Sequence, residues 1–122
     1  MAPPPTVLVV DDNAALRENL AEALEDEGYA VVLAADGARA LEALEKGPLP
    51  EIVLLDLVMP GIDGRELVRR IRAEPRWAAV RLVLTSGLSG GEDLRDHPVD
   101  AFLPKPFGLD RLIGTLKALC AR

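Results

Sequence analysis

Ile52-Val53-Leu54-Leu55-Asp56-Leu57-Val58-Met59-Pro60-Gly61 is the stretch on which the rest of this 122-residue chain turns. Four consecutive apolar residues with branched side chains predict a strand buried on both faces, and the run ends by delivering a single carboxylate at its C-terminal edge. An acid beside a core strand is costly unless it is paired, hydrated or bound to a cation. Taken alone, Asp56 reads as the cap of the turn that follows. Its company decides otherwise.

Working outward toward the N-terminus, Thr6-Val7-Leu8-Val9-Val10 is a β-branched run that stops at Asp11-Asp12-Asn13, a buried strand followed by a polar turn able to cap a helix. Leu16, Leu20, Ala23 and Leu24 recur at helical spacing from Ala14 to Glu27, and Gly28 supplies a stop. Tyr29 to Ala34 is a second strand. Asp36-Gly37 opens a helix carrying Ala40, Leu41 and Leu44 on its core face, which ends at Gly47-Pro48-Leu49-Pro50.

Toward the C-terminus, Asp63 caps a helix with Leu67, Val68 and Ile71 on one side. Val80 to Leu84 forms a fourth strand ending at Thr85-Ser86-Gly87, and Ala101-Phe102-Leu103 a short fifth ending at Pro104-Lys105-Pro106-Phe107. A last helix begins near Leu109 with the stripe Leu112, Ile113, Leu116 and Leu119. Between the fourth and fifth strands, Gly90-Gly91 and Pro98 limit any helix to one or two turns. The alternation predicts βαβ units, a parallel sheet and helices on both faces: a doubly wound α/β fold.

Composition bounds the function. The chain is 49% hydrophobic and 28% charged, as an ordinary globular domain is. Its net charge of -6 argues against a nucleic-acid surface. One cysteine, Cys120, forms no internal bridge, and His97, the single histidine, stands beside a proline as a solvated loop residue. Neither an apolar run of membrane-spanning length nor a signal peptide is present, so a cytoplasmic location is expected. Residues 1–5 read as a proline-rich lead-in and residues 6–121 as a single domain, with no effector domain after the last helix.

In an open parallel sheet, function gathers beyond the carboxyl ends of the strands. Those ends carry Asp11 and Asp12, Asp56, Thr85 and Ser86, and Lys105. If strands one and three lie side by side, three carboxylates face one another. Two carboxylates about 5 Å apart repel by roughly 3 kcal/mol at an effective dielectric near 20, so a cation is the simplest compensation. An all-oxygen set suits Mg²⁺ or Mn²⁺, whereas zinc wants imidazole or thiolate. A carboxylate beside such an ion, with a lysine and a hydroxyl at hand, can act as nucleophile toward a phosphoryl group.

These residues carry a resemblance to a known family. Val9-Val10-Asp11-Asp12-Asn13, Leu55-Asp56-Leu57-Val58-Met59-Pro60-Gly61-Ile62-Asp63-Gly64, Leu84-Thr85-Ser86 and Pro104-Lys105-Pro106-Phe107 resemble, in this order and spacing, a response-regulator receiver domain of two-component signalling. The resemblance implies a flavodoxin-like (βα)5 fold with strand order 2-1-3-4-5. It implies that Asp56 is the phosphoacceptor, served by a phosphohistidine on a histidine kinase or a histidine phosphotransfer protein. Asp12 would bind Mg²⁺ directly, Asp11 through a water, and the backbone carbonyl of Val58 would complete the protein ligands. Lys105 would contact the phosphoryl group, with a cis bond to Pro106, and Thr85 and Phe102 would form the switch.

The short fourth helix departs from the family pattern at a face that many relatives use for dimerisation, so a monomer acting on a downstream protein target is expected. No enzyme activity is expected beyond the domain's own aspartyl phosphorylation and dephosphorylation. A rival is a docking module of the same fold that is independent of phosphorylation. An aspartate phosphatase would need a second acid shortly after Asp56, which Leu57-Val58 does not supply, and a nucleotide site would need a glycine-rich loop after strand one.

Overall fold

The computed structural model describes residues 4–87 and 99–120. Five strands, β1 (Thr6–Val10), β2 (Ala30–Ala34), β3 (Ile52–Asp56), β4 (Arg81–Ser86) and β5 (Ala101–Pro104), form one parallel sheet in the order β2-β1-β3-β4-β5. The helices are α1 (Ala14–Asp26), α2 (Gly37–Lys46), α3 (Gly64–Ala73) and α4 (Leu109–Cys120), with a 3-10 turn at Pro75–Trp77. The expected short helix between β4 and β5, and His97, lie outside the described residues.

Alternation along each strand divides the core in two. Leu8, Val10, Val53, Leu55, Leu82 and Leu84 pack with Leu44, Leu67, Val68 and Ile71 of α2 and α3. Val7, Val9, Ile52, Leu54 and Val83 pack with Leu20 and Leu24 of α1 and with Leu112, Ile113 and Leu116 of α4. Period-two strands between period-3.6 helices thus bury both sheet faces.

The first three strands are each turned into the following helix by a polar cap. The side chains of Asn13, Asp36 and Asp63 accept from the amides of Leu16, Arg39 and Glu66, satisfying amides that have no partner within the helix. Two boundaries differ from the periodicity. Tyr29 donates its amide to the Leu24 carbonyl at 3.0 Å and so belongs to the turn closing α1, where Gly28 takes φ +94°. Val80 donates to Trp77 at 3.1 Å and ends the 3-10 turn. Trp77 itself is buried and joins the core beneath α2 and α3.

At the end of the sheet away from the strand carboxyl termini, Asp100 ties three elements together. Its Oδ2 accepts from the Leu82 amide at 2.8 Å and from Arg72 Nη2 of α3 at 3.0 Å, while Arg72 Nη1 donates to the Val80 carbonyl at 2.8 Å.

Candidate functional site

The strand order puts β1 beside β3, and with it Asp11 and Asp12 beside Asp56. Carboxylate oxygens of these three residues all lie within 4.8 Å of one another. Asp11 and Asp56 are buried, at 3% and 8% exposure, while Asp12 is exposed. Two buried like charges at this spacing demand a cation, and Lys105 supplies one: its Nζ stands 2.9 Å from Asp11 Oδ2 and 3.4 Å from Asp56 Oδ2. Lys105 follows β5 and is held there by its own amide, which donates to Ser86 at the end of β4 at 2.6 Å. Its peptide bond to Pro106 is cis.

Asp11 is engaged through both carboxylate oxygens, Oδ1 accepting from the Asn13 amide at 2.9 Å and Oδ2 from Lys105. Asp12 has no hydrogen-bond or ion-pair partner among the described residues. Its carboxylate is therefore available to a ligand at no cost in existing bonds. Asp56 keeps two long contacts, the Val58 amide 3.4 Å from Oδ1 and Lys105 Nζ 3.4 Å from Oδ2. Burial raises the pKa of Asp56 above the ordinary carboxylate value; Lys105 pulls it back, Asp11 pushes it further up, and the Val58 amide lowers it slightly. For Lys105, burial pulls the pKa down, but the Asp11 hydrogen bond and the charges of Asp11 and Asp56 outweigh it and the net shift is upward. Lys105 thus favours the ionised form of Asp56 while Asp11 disfavours it, and both acids favour the charged form of Lys105.

Thr85 pairs with Asp56 in register and is 3% exposed; its hydroxyl donates to the Leu55 carbonyl at 3.4 Å, a long bond. Phe102 pairs with Leu84 across β4 and β5 and lies half-buried against the core on the α2 and α3 side. Val58, at 56% exposure, stands at the mouth of the site. All the residues singled out from the chain thus converge on one rim except Phe102, which sits one step down the neighbouring strand.

Two residues that periodicity does not reveal shape the same rim. Gly64 opens α3 directly against the end of β3: its amide donates to the Leu57 carbonyl at 2.9 Å, and a Cβ there would stand 2.5 Å from the Asp56 carbonyl oxygen and 2.6 Å from Leu57 Cα. Arg17, from the first turn of α1, donates to the Asp11 main-chain carbonyl at 2.7 Å. Beside the site, a groove of about 690 Å³ between α1 and α4 is lined mainly by Leu16, Leu20, Phe107, Leu109 and Leu112. It is apolar, and the acids are absent from it.

Three oxygen-donor carboxylates, one of them without a partner, and no imidazole or thiolate among the described residues of the cluster form a donor set that fits Mg²⁺ and does not fit zinc.

The chain has relatives among known proteins. A family model described as "Response regulator receiver domain" matches residues 7–117. The response regulator MprA of Mycobacterium sp. strain KMS is 40% identical over 121 residues, covering 98% of this chain and 52% of the relative. That of Mycobacterium ulcerans strain Agy99 is 41% identical over 118 residues, covering 95% and 50%. The chain thus spans about half the length of the curated relatives it matches. Among solved structures, a response regulator receiver protein from Pseudomonas putida superposes with a TM-score of 0.88 at 34% identity, covering 97% of this chain and 99% of that one. The response regulator protein TrrA from Thermotoga maritima, solved in complex with Mg²⁺ and BeF, gives 0.81 at 33% identity, covering 94% and 98%.

Proposed function

The chain belongs to the family of response regulator receiver domains of two-component signalling, and from that premise we propose that Asp56 accepts a phosphoryl group from a phosphohistidine of a histidine kinase or a histidine phosphotransfer protein. The observation that carries the proposal is the convergence of Asp11, Asp12 and Asp56 within 4.8 Å, with Lys105 bridging the two buried members.

In this step an Asp56 carboxylate oxygen forms a bond to phosphorus as the P–N bond of the phosphohistidine breaks and its electron pair returns to the imidazole. Asp11, Asp12, Asp56 and the backbone carbonyl of Val58 would hold Mg²⁺, with Mn²⁺ suited to the same donors, and the ion when bound supplies positive charge against the phosphoryl oxygens. Lys105 adds its own: the ammonium already lies 3.4 Å from Asp56 Oδ2, and donates to a phosphoryl oxygen on the same side. Burial helps as well, since charges attract more strongly where water is scarce.

The readout follows from charge. A phosphoryl group brings about -1.5 to -2 charges and three acceptor oxygens to the rim. The Thr85 hydroxyl gives up only its long bond to Leu55 in turning toward them. Phe102 then moves into the space that Thr85 leaves, altering the β4–β5 surface offered to a downstream protein.

Intact-mass spectrometry with a small-molecule phosphodonor tests the proposal, run with Mg²⁺, with a chelator, and with Asp56→Asn. One added phosphoryl group that needs both the ion and Asp56 supports it. No addition, with Mg²⁺ binding intact, sinks it and favours a docking module independent of phosphorylation.

A further inference from the structure

We infer that Arg17 is a positioning residue for the metal-holding edge of this site, acting through the main chain of Asp11; the inference rests on Asp11, Asp12 and Asp56 being holders of Mg²⁺, as proposed above. A cation in the first turn of a helix opposes the helix dipole, and the first turn of α1 contains no acid to offset it. Nor is Arg17 left to solvent. It is half-buried, and its Nη1 turns back to the Asp11 carbonyl at 2.7 Å.

The consequence lies in the peptide plane. Asp11 is held at every polar group: its amide donates to Ala34 at 3.2 Å, its carboxylate accepts from Asn13 and Lys105, and its carbonyl accepts from Arg17. The carbonyl of Asp11 is coplanar with the amide and Cα of Asp12. Fixing that carbonyl fixes the Asp12 amide and Cα, the point from which the Asp12 side chain departs. Asp12 has no side-chain partner of its own among the described residues, so its aim is set by its backbone, and one of the bonds that hold this backbone comes from Arg17.

Charge and position predict opposite signs. As a positive charge beside the same acids, Arg17 would weaken Mg²⁺ binding, and its removal would tighten it. As a positioning residue it strengthens binding, and its removal weakens it. Isothermal titration calorimetry with MgCl₂ on the wild type, Arg17→Met and Arg17→Lys distinguishes them, with thermal unfolding as the check on the fold. The expected result is a Kd about tenfold weaker in Arg17→Met, the scale of a lost outer-shell contact, and partial recovery in Arg17→Lys, which keeps a donor. The Mg²⁺ needed for half-maximal phosphorylation rises in parallel, while the rate at saturating Mg²⁺ stays near the wild-type value. Binding in Arg17→Met as tight as the wild type or tighter overturns the inference, as does no recovery in Arg17→Lys. Should Arg17→Met not fold, Arg17→Gln takes its place under the same criteria. A wild type that binds no Mg²⁺ overturns instead the reading of the three acids.

Discussion

Lys105 and Asp11 are 94 positions apart in the chain, yet Nζ and Oδ2 stand 2.9 Å apart, with the ammonium also 3.4 Å from Asp56. The lysine is shared between Asp11 and the acid proposed above as the phosphoacceptor. Among the described residues it is the cation seen to hold the two buried carboxylates together.

Asp56 therefore costs stability when ionised. Its pKa is raised in the folded protein, chiefly by burial, so the folded state binds the proton more tightly than the unfolded chain does. The stabilising contribution is fully present below the unfolded value near 3.8 and is lost as pH rises through the folded pKa. Asp56→Asn should accordingly unfold at higher temperature than the wild type at pH 7 without Mg²⁺, by on the order of 1 kcal/mol or several °C, with the difference shrinking toward pH 4. Calorimetric scans across this range check it; an equal or lower Tm at pH 7 contradicts it.

Mg²⁺ should stabilise the protein through the same acids. At a concentration about 100 times Kd, binding to the folded state alone is worth about 2.7 kcal/mol. A rise in Tm on adding MgCl₂, reversed by a chelator and lost in Asp12→Ala, is the expected pattern. Asp12 is the discriminating position because its removal breaks no hydrogen bond or ion pair among the described residues.

Gly64→Ala should destabilise the fold by about 2–3 kcal/mol, in the range of overpacking in a tight interior. The new Cβ would meet the Asp56 carbonyl oxygen at 2.5 Å and Leu57 Cα at 2.6 Å, main-chain atoms that cannot rotate away. Urea unfolding gives the value, and a loss below about 0.5 kcal/mol would mean that β3 and α3 adjust more freely than this packing allows.

Thr85→Val should separate stability from signalling. The hydroxyl makes only the 3.4 Å bond to Leu55, so the cost in unfolding free energy should stay below about 1 kcal/mol. Phosphorylation should still occur at Asp56, while the ring resonances of Phe102 change little on phosphorylation compared with the wild type. Full-sized Phe102 shifts in this variant would place the coupling elsewhere.

Asp100→Ala should cost about 2–4 kcal/mol, because it leaves both the Leu82 amide and the Arg72 guanidinium short of an acceptor in a half-buried setting. The same urea measurement applies, and a loss under 1 kcal/mol would show that water replaces the carboxylate readily.

The strands, the helices and the rim residues are legible in the chain for a physical reason. A parallel strand buried on both faces must be a continuous apolar run, so its end is marked wherever a polar residue interrupts it, as at Asp11, Asp56, Thr85 and Lys105. Whether such a run lies at the centre or the edge of the sheet leaves no comparable mark. Val32 and Leu33 read like Val9 and Val10, but β2 is an edge strand and leaves them 44% and 42% exposed. Arg17, Gly64 and the Arg72 to Asp100 pair escape periodicity altogether. They act by reaching main-chain atoms or a side chain of another element, and such contacts exist only once the elements have docked.

The strand order also sorts the site by rigidity. Asp56 stands at the end of β3, the middle strand, which is paired on both sides and buried along its length; core strands of this kind are typically where local opening costs most. Lys105 follows β5, an edge strand with a neighbour on one side only. Asp56 is thus anchored in the centre of the sheet and its counter-cation at the sheet's margin, so the cation is the freer of the two to change partners.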